Sequence, residues 1–329
     1  MSKEIILEVA NLCTTFTRGG VALPAVRDVS FSLGKGEVLG LVGESGSGKS
    51  VTLRSILGLT RRYGEVTGSV RWQGQELTAM SERNIRRIRG NEIAMIFQEP
   101  MTSLNPLLSV GTQITETLTA HTDLNRAARR DRAIEMLDQV GIPSASSRLE
   151  EYPHQFSGGM RQRVMIAIAL AASPKLLLAD EPTTALDVTI QAQILDLILK
   201  LADKMSMGVV LVTHDLGVVA QTCEDVAVMY AGRIVEQGAV RQVLRAPRHP
   251  YTVGLMRSVP QDVAPRTQLY SVPGTPPSLE ALPQGCAFAP RCKARSAECL
   301  VSRPALQQIA NDRRAACFNP VAASEGDAA

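Results

Sequence analysis

The chain has 329 residues, with 35 Lys and Arg against 32 Asp and Glu, a formal charge of +3, 45% hydrophobic residues and only 4% aromatic ones. That length holds one large domain or two moderate ones with a core of Leu, Ile, Val, Ala and Met, and the near balance of charge leaves no electrostatic footprint for nucleic acid. The longest near-apolar run, Val164 to Ala172, falls far short of the ~20 residues that span a bilayer, so any membrane role must come through a partner.

Met1-Ser2-Lys3-Glu4 leads straight into strand-like sequence with no apolar leader, which points to a reducing, cytosolic setting without disulfides. Alternation predicts strands over Ile5 to Val9 and Val29 to Leu33, with a turn at Gly19-Gly20. A short apolar strand, Val38 to Val42, then runs into Gly43-Glu44-Ser45-Gly46-Ser47-Gly48-Lys49-Ser50, followed by Val51 and a helix from about Ser50 to Leu59. Gly68 to Trp72 and Glu92 to Phe97 read as two more strands. The pattern between Pro100 and Ala172 is helical, with caps at Asn105-Pro106 and Pro143-Ser144. The Arg-rich stretches Arg83 to Arg89 and Arg126 to Arg132 read as solvated helix faces.

Further along, Leu176 to Ala179 is a buried strand, Thr189 to Met205 a helix, and Gly208 to Thr213 another buried strand. Asp225 to Tyr230 and Arg233 to Glu236 form a hairpin turning at Ala231-Gly232. From Val259 the prolines 260, 265, 273, 276, 277 and 283 mark an extended linker, and four of the six cysteines follow it. Val321 to Ala329 reads as a disordered tail. Strands alternating with helices imply an α/β fold with a mostly parallel sheet covered on both faces, and the helical block is a subdomain of its own.

The Gly43 to Ser50 stretch is a complete GxxxxGK[ST] pattern between a strand and a helix. Glycines let backbone N–H groups converge on anionic oxygens, the helix N-terminus adds partial positive charge, Lys49 reaches the outer phosphates and Ser50 can hold Mg²⁺. A nucleoside triphosphate is the expected ligand. Leu176-Leu177-Leu178-Ala179-Asp180-Glu181 is an apolar strand ending in two carboxylates: Asp180 is suited to hold Mg²⁺ through water, and Glu181 to polarise an attacking water. A strand ending in exposed acids is common, and only the pairing with the phosphate loop makes the motif strong.

Phe156-Ser157-Gly158-Gly159-Met160-Arg161-Gln162, about twenty residues before Asp180, resembles the signature motif of ABC-type ATPases. Gln98 resembles that family's Q-loop, here also a candidate Mg²⁺ ligand; Ala185-Leu186-Asp187 its D-loop; and His214 its switch histidine. Phe16 stands where the family stacks an aromatic ring on adenine, although a plain core Phe is the other reading. The resemblance covers Ile5 to Gly238. It implies a P-loop fold with an antiparallel β subdomain and an inserted helical subdomain. It also implies that Ser157, Gly158 and Gly159 bind the γ-phosphate of ATP held by a second ATPase subunit. Ser157 can cap a helix whose first amides face that anion. Phe156 and Met160 depart from the commonest Leu and Gln without removing the Ser-Gly-Gly donors, and the presence of Glu181 and His214 implies a competent site.

Phe97-Gln98-Glu99-Pro100-Met101-Thr102-Ser103-Leu104-Asn105-Pro106, Tyr152-Pro153-His154-Gln155 and Arg248-His249-Pro250-Tyr251-Thr252 resemble the ATPase subunits of dipeptide and oligopeptide importers. His249 reads as a cap or turn residue ahead of a Pro250 helix rather than a metal ligand. Spacing alone leaves Cys286, Cys292, Cys299 and Cys317 open between iron–sulfur, zinc and unrelated buried thiols. The importer resemblance implies a [4Fe–4S] cluster there, and nothing in the spacing places it near the phosphate loop. Cys13 and Cys223 read as core thiols.

The implied arrangement is an ATPase domain over residues 1–258 with its helical subdomain near 100–172, an extension over 259–320 and the tail over 321–329. The implied partners are a paralogous second ATPase subunit, two membrane permeases at the cytoplasmic face and, indirectly, an extracytoplasmic solute-binding protein. Nickel, glutathione or antimicrobial peptides are alternative cargoes. A soluble, non-transport ABC protein is the rival class, which usually carries paired nucleotide domains or long insertions in one chain.

Overall fold

In the computed structural model, which describes residues 4–98, 103–184, 186–259, 270–310 and 312–322, strands β1 (Ile5–Arg18) and β2 (Val21–Gly34) turn on the expected Gly19-Gly20 pair. Both strands run well past the lengths expected. In β1 the register against β4 (Gly64–Trp72) shifts between Ala10 and Cys13, and Asn11 takes a left-handed φ of 51°. The bulge moves the buried set from Val9 to Leu12, so a strict period of two stops at Val9. In β2, Pro24 argues against a central strand, but β2 is the edge of the sheet ordered β2-β1-β4-β5, where β5 is Gln75–Glu76.

The chain forms two compact units. One gathers Ile5–Leu33, Val38–Thr78 and the described residues from Val212 onward. Besides the antiparallel sheet it contains β3 (Val38–Val42), which runs parallel to a later strand, Asp225–Tyr230. That strand turns through Ala231 (φ 46°) and Gly232 (φ 82°) into Arg233–Ala239, as the hairpin reading expects. Arg313–Ala315 adds to its far edge and Gln307–Ala310 to that. Val42, Val219, Val226, Val228, Tyr230, Tyr251 and Phe288 share the core of this unit.

The other unit gathers Gly34–Glu37 and Ala79–Leu211 with the N-terminal Glu4. Its strands Ile93–Ile96 and Leu176–Asp180 pair in parallel, and Gly208–Thr213 lies next to the second of them. Leu176 to Asp180 is buried throughout, which is why its sequence is continuously apolar instead of alternating. Helices Val110–His121, Arg126–Gln139, Gly158–Leu170 and Val188–Met205 belong here. Arg86 on an exposed helix face pairs with Glu82, in keeping with a solvated Arg stretch, and Arg89, just past the helix end and only 18% exposed, pairs with the same carboxylate. Among the described residues no helix is long and apolar enough to cross a membrane.

Two expected boundaries shift for local reasons. The helix after the phosphate loop is Lys49–Ile56, ending at Gly58 (φ 64°) with Leu59 N–H on the Arg54 carbonyl at 2.8 Å and Gly58 N–H on Ser55 at 2.9 Å. Asn105 is not a helix cap: its Oδ1 accepts from Leu107 N–H at 3.0 Å, and Ser109 caps Val110–His121 by accepting from Thr112 N–H. Ser144 does stand at an N-cap, that of Ala145–Arg148, without a side-chain bond to the helix. Pro260 and Pro265, residues 99–102 of the Q-loop segment, Ala185 and residues 323–329 of the expected tail lie outside the described residues.

Candidate functional site

β3 is buried along its whole length and delivers the chain into the phosphate loop at Gly43. A Cβ at Gly43 (φ 154°) would sit 2.2 Å from the Met229 carbonyl oxygen, and one at Gly48 (φ 102°) 2.6 Å from that of Ala25. Only glycine fits at both turns, so the loop's shape is fixed by its neighbours. Ser47 N–H closes on the Glu44 carbonyl at 3.2 Å, and Gly232 N–H holds the Ser47 carbonyl at 2.8 Å. Lys49 is 4% exposed, its ammonium donating to the carbonyls of Gly43 at 2.7 Å and Glu44 at 3.0 Å. Ser45 and Gly46 are exposed at the crest, Ser50 is half-buried in the first helical turn, and Val51 follows it.

Glu44 is tied down from outside the loop. Its N–H donates to the Tyr251 hydroxyl at 2.8 Å, and its carboxylate accepts from both terminal nitrogens of Arg291 at 2.7 and 3.0 Å. Tyr251 is set by His249, which caps Pro250–Ser258 by accepting from Tyr251 N–H on Nδ1 at 3.0 Å, as the cap reading expects. Burial pushes His249 down to about 3, so its ring is neutral. Arg291 is the residue before Cys292. The Cys segment therefore touches the phosphate loop through Arg291, a contact across 247 positions of which the spacing gives no sign.

In the same unit His214 follows the last residue of the strand Gly208–Thr213 and is exposed, one position before Asp215, which caps the next helix through Gly217 and Val218 N–H. Phe16 is half-buried near the end of β1, opposite Gly64, where a Cβ would lie 2.8 Å from its ring.

The other unit holds the two carboxylates. Asp180 is fully buried as the last residue of its strand, and Glu181 turns out of it with a left-handed φ of 47°. For a non-glycine residue this is a costly conformation of the kind found at working sites. Gln98 Nε2 donates to Glu181 Oε2 at 3.1 Å, and Thr184 Oγ1 donates to the same oxygen at 2.9 Å. Sequence reading finds Gln98 and Glu181 but misses Thr184, whose only signal is a hydroxyl three positions after the acid.

Ser157 is the N-cap of Gly158–Leu170, accepting from Met160 N–H at 3.4 Å, with Ser157 and Gly158 exposed. Gln162, one turn into that helix and buried, donates to the Pro182 carbonyl at 2.5 Å, linking the signature helix to the Asp180-Glu181-Pro182 turn. Gly159 faces Ile190, where a Cβ would come to 3.2 Å. Asp187 is an exposed N-cap of Val188–Met205 that makes no capping bond to the helix.

The cysteine expectations need correction. Among the described residues no group of three or more His, Cys, Asp or Glu side chains is placed to hold a metal ion, so the structure gives a [4Fe–4S] cluster on Cys286, Cys292, Cys299 and Cys317 no support. Burial raises the thiols of Cys286, Cys292 and Cys317, with neighbouring thiols of the quartet adding to the shift, and Cys299 Sγ is in contact with Ser296 Oγ and Asn319 Nδ2. Cys13 and Cys223 are both half-buried; Cys13 Sγ accepts from Asp28 N–H, while Cys223 packs against the core of its unit and burial pushes it up to about 12.

Residues 26–184 match the ABC transporter family, and residues 235–299 match the C-terminal region of oligopeptide/dipeptide transporters. The chain is 49% identical to the oligopeptide transport ATP-binding protein AppD of Bacillus subtilis, over 95% of this chain and 96% of that one. It is 49% identical to the dipeptide transport ATP-binding protein DppD of Escherichia coli, over 96% and 97%. It is 47% identical to the oligopeptide transport ATP-binding protein OppD of Salmonella typhimurium, over 97% and 95%. Among solved structures it resembles a post-hydrolysis dimer of the ATP-binding cassette MJ0796 bound to ADP and Pi, with a TM-score of 0.65 and 30% identity, covering 72% of this chain and 99% of that one.

Proposed function

The chain belongs to the ABC transporter family, in its oligopeptide/dipeptide branch, and from that premise we propose that it is the ATP-hydrolysing subunit of an importer for dipeptides or oligopeptides. The observation that carries the hydrolytic part is the Glu181 carboxylate, turned out of a buried strand and held on one oxygen by Gln98 and Thr184. A carboxylate oriented by two donors can take the proton of an attacking water as it adds to the γ-phosphorus. In this reading Lys49 and the loop amides of Gly43 to Ser50 bind the phosphates, Val51 continues the loop, His214 donates to the γ-phosphate and Phe16 stacks on adenine. Ser50, Asp180 and Gln98 supply hard oxygen donors suited to Mg²⁺, which neutralises charge on the phosphates when bound. No step passes through an iron–sulfur group, and iron and sulfide analysis of anaerobically purified protein decides that question separately.

The Ser157-Gly158-Gly159 terminus, exposed at Ser157 and Gly158, serves with Asp187 the nucleotide of a second ATPase subunit, a paralogue. Two permease subunits complete the membrane part at the cytoplasmic face, with the chain peripheral to it and a solute-binding protein delivering cargo outside. The domain division at residues 258 and 320 belongs to the same proposal, although the match of the C-terminal region, residues 235–299, begins before the first of these bounds. Proteoliposomes holding the permeases, both ATPase subunits and the solute-binding protein test it. ATP-dependent uptake of a labelled dipeptide or oligopeptide supports the reading; uptake of nickel or glutathione alone overturns the cargo, and uptake that proceeds without this chain overturns the role.

A further inference from the structure

Arg291 belongs to the C-terminal segment, yet its side chain is 4% exposed and its guanidinium is spent on the phosphate loop and the linker end together. Besides the two bonds to Glu44 it donates to the carbonyls of Val272 at 3.0 Å and Pro273 at 2.8 Å, and to the Tyr230 hydroxyl at 3.3 Å. It lies over the rings of Tyr230 and Phe288 at 5.7 and 5.8 Å. Such a buried ion pair contributes little net stability against an apolar substitute, but it fixes one geometry, because each partner is costly to leave alone. That geometry is the corner of the phosphate loop. The carbonyls of Gly43 and Glu44 hold the Lys49 ammonium, Glu44 N–H is held by Tyr251, and the Glu44 carboxylate is held by Arg291.

We propose that Arg291 is a positioning residue for nucleotide binding: by clamping Glu44 it holds the phosphate loop in its binding shape, so the C-terminal segment sets the affinity for ATP. Coupling of this kind is reciprocal, so bound ATP must in turn tighten residues 270–293. The inference rests on the reading of Gly43 to Ser50 as the nucleotide site.

The test uses the full chain as wild type, Lys49→Ala, Arg291→Gln, Arg291→Lys, Glu44→Gln and the Arg291→Gln/Glu44→Gln double variant. Mg-ATP dissociation constants come from equilibrium dialysis, thermal midpoints are measured without nucleotide, and hydrogen exchange with and without ATP. Each single loss of the pair weakens binding about tenfold, and the double variant is no weaker than either single one. Arg291→Lys behaves like Arg291→Gln, because an ammonium cannot span the carboxylate and both carbonyls. ATP slows exchange over 270–293 in wild type and not in Arg291→Gln. Lowered thermal midpoints with dissociation constants within about twofold of wild type reduce the pair to a structural tie and overturn the proposal, as do additive effects in the double variant. If Arg291→Gln does not fold, Glu44→Gln decides alone, since it removes the same pair from the loop side. Wild-type affinity in Lys49→Ala brings down the nucleotide-site reading and the proposal with it; intact loss in Lys49→Ala beside unchanged Glu44→Gln brings down the proposal alone.

Discussion

Glu181 has a backbone conformation that a side chain rarely adopts and a carboxylate oxygen with two donors on it. Strain and orientation at one acid suit a base that acts on a positioned water. Glu181→Gln keeps the shape and the neighbours but cannot take a proton, so steady-state turnover should fall by about a hundredfold or more while ATP binding persists; turnover near the wild-type rate removes Glu181 from the role. His249 makes a separate demand. Its ring is neutral in the fold, with Glu236 accepting its backbone N–H at 2.9 Å, Arg313 paired to that same carboxylate and Phe288 against its ring. The unfolded chain protonates near 6.5 while the folded one resists down to about 3, so unfolding takes up a proton between these values. Stability from this group is complete above pH 6.5 and is lost as pH falls, by up to ~1.4 kcal/mol per unit. Urea unfolding from pH 7 to 5 should show this slope in wild type and a flatter one in His249→Asn, whose amide oxygen still caps; equal slopes refute it. Lys49, Asp180, Glu181 and Gln98 were legible as residues because local motifs carry them. Thr184, Tyr251 and Arg291 were not, since what makes them matter is a partner brought near by the fold.

At the scale of elements, continuous apolar runs and glycine punctuation read well: β3 and the strand Gly208–Thr213 have the extents their sequences announce, and the hairpin turns at Ala231-Gly232 as read, although its second strand runs three residues past Glu236 to Ala239. Period-two reading failed in β1 because a bulge at Asn11 changes which face a residue occupies, and in β2 because an edge strand tolerates Pro24. The signature helix was legible at its start, where Ser157 caps it, but its tie through Gln162 to Pro182 was not. Losing the Ser157 hydroxyl should lower stability by about 1 kcal/mol, as for an ordinary N-cap. If Ser157 also binds phosphate across a subunit boundary, Ser157→Ala should cut turnover well beyond what that loss of fold explains, with ATP binding by the isolated chain unchanged. A drop in stability with full turnover assigns the serine to capping alone.

For the whole molecule, family and fold were legible because the motifs stand in one order along the chain, and relatives near 49% identity over nearly its full length agree. The grip of the C-terminal segment on the phosphate loop was not, because the intervening prolines read as a spacer and carry no sign of where it leads. The cysteine quartet rested on resemblance alone, and among the described residues no metal-holding group of side chains supports it. In the proposed role this chain works as one half of an ATP-closed pair. Mass photometry of Glu181→Gln protein, mixed in turn with a second copy and with the second ATPase subunit that co-purifies with it, tests this directly. Mg-ATP, and not ADP, should convert single chains into pairs with one of these mates. Single chains that bind ATP and remain single with both contradict it.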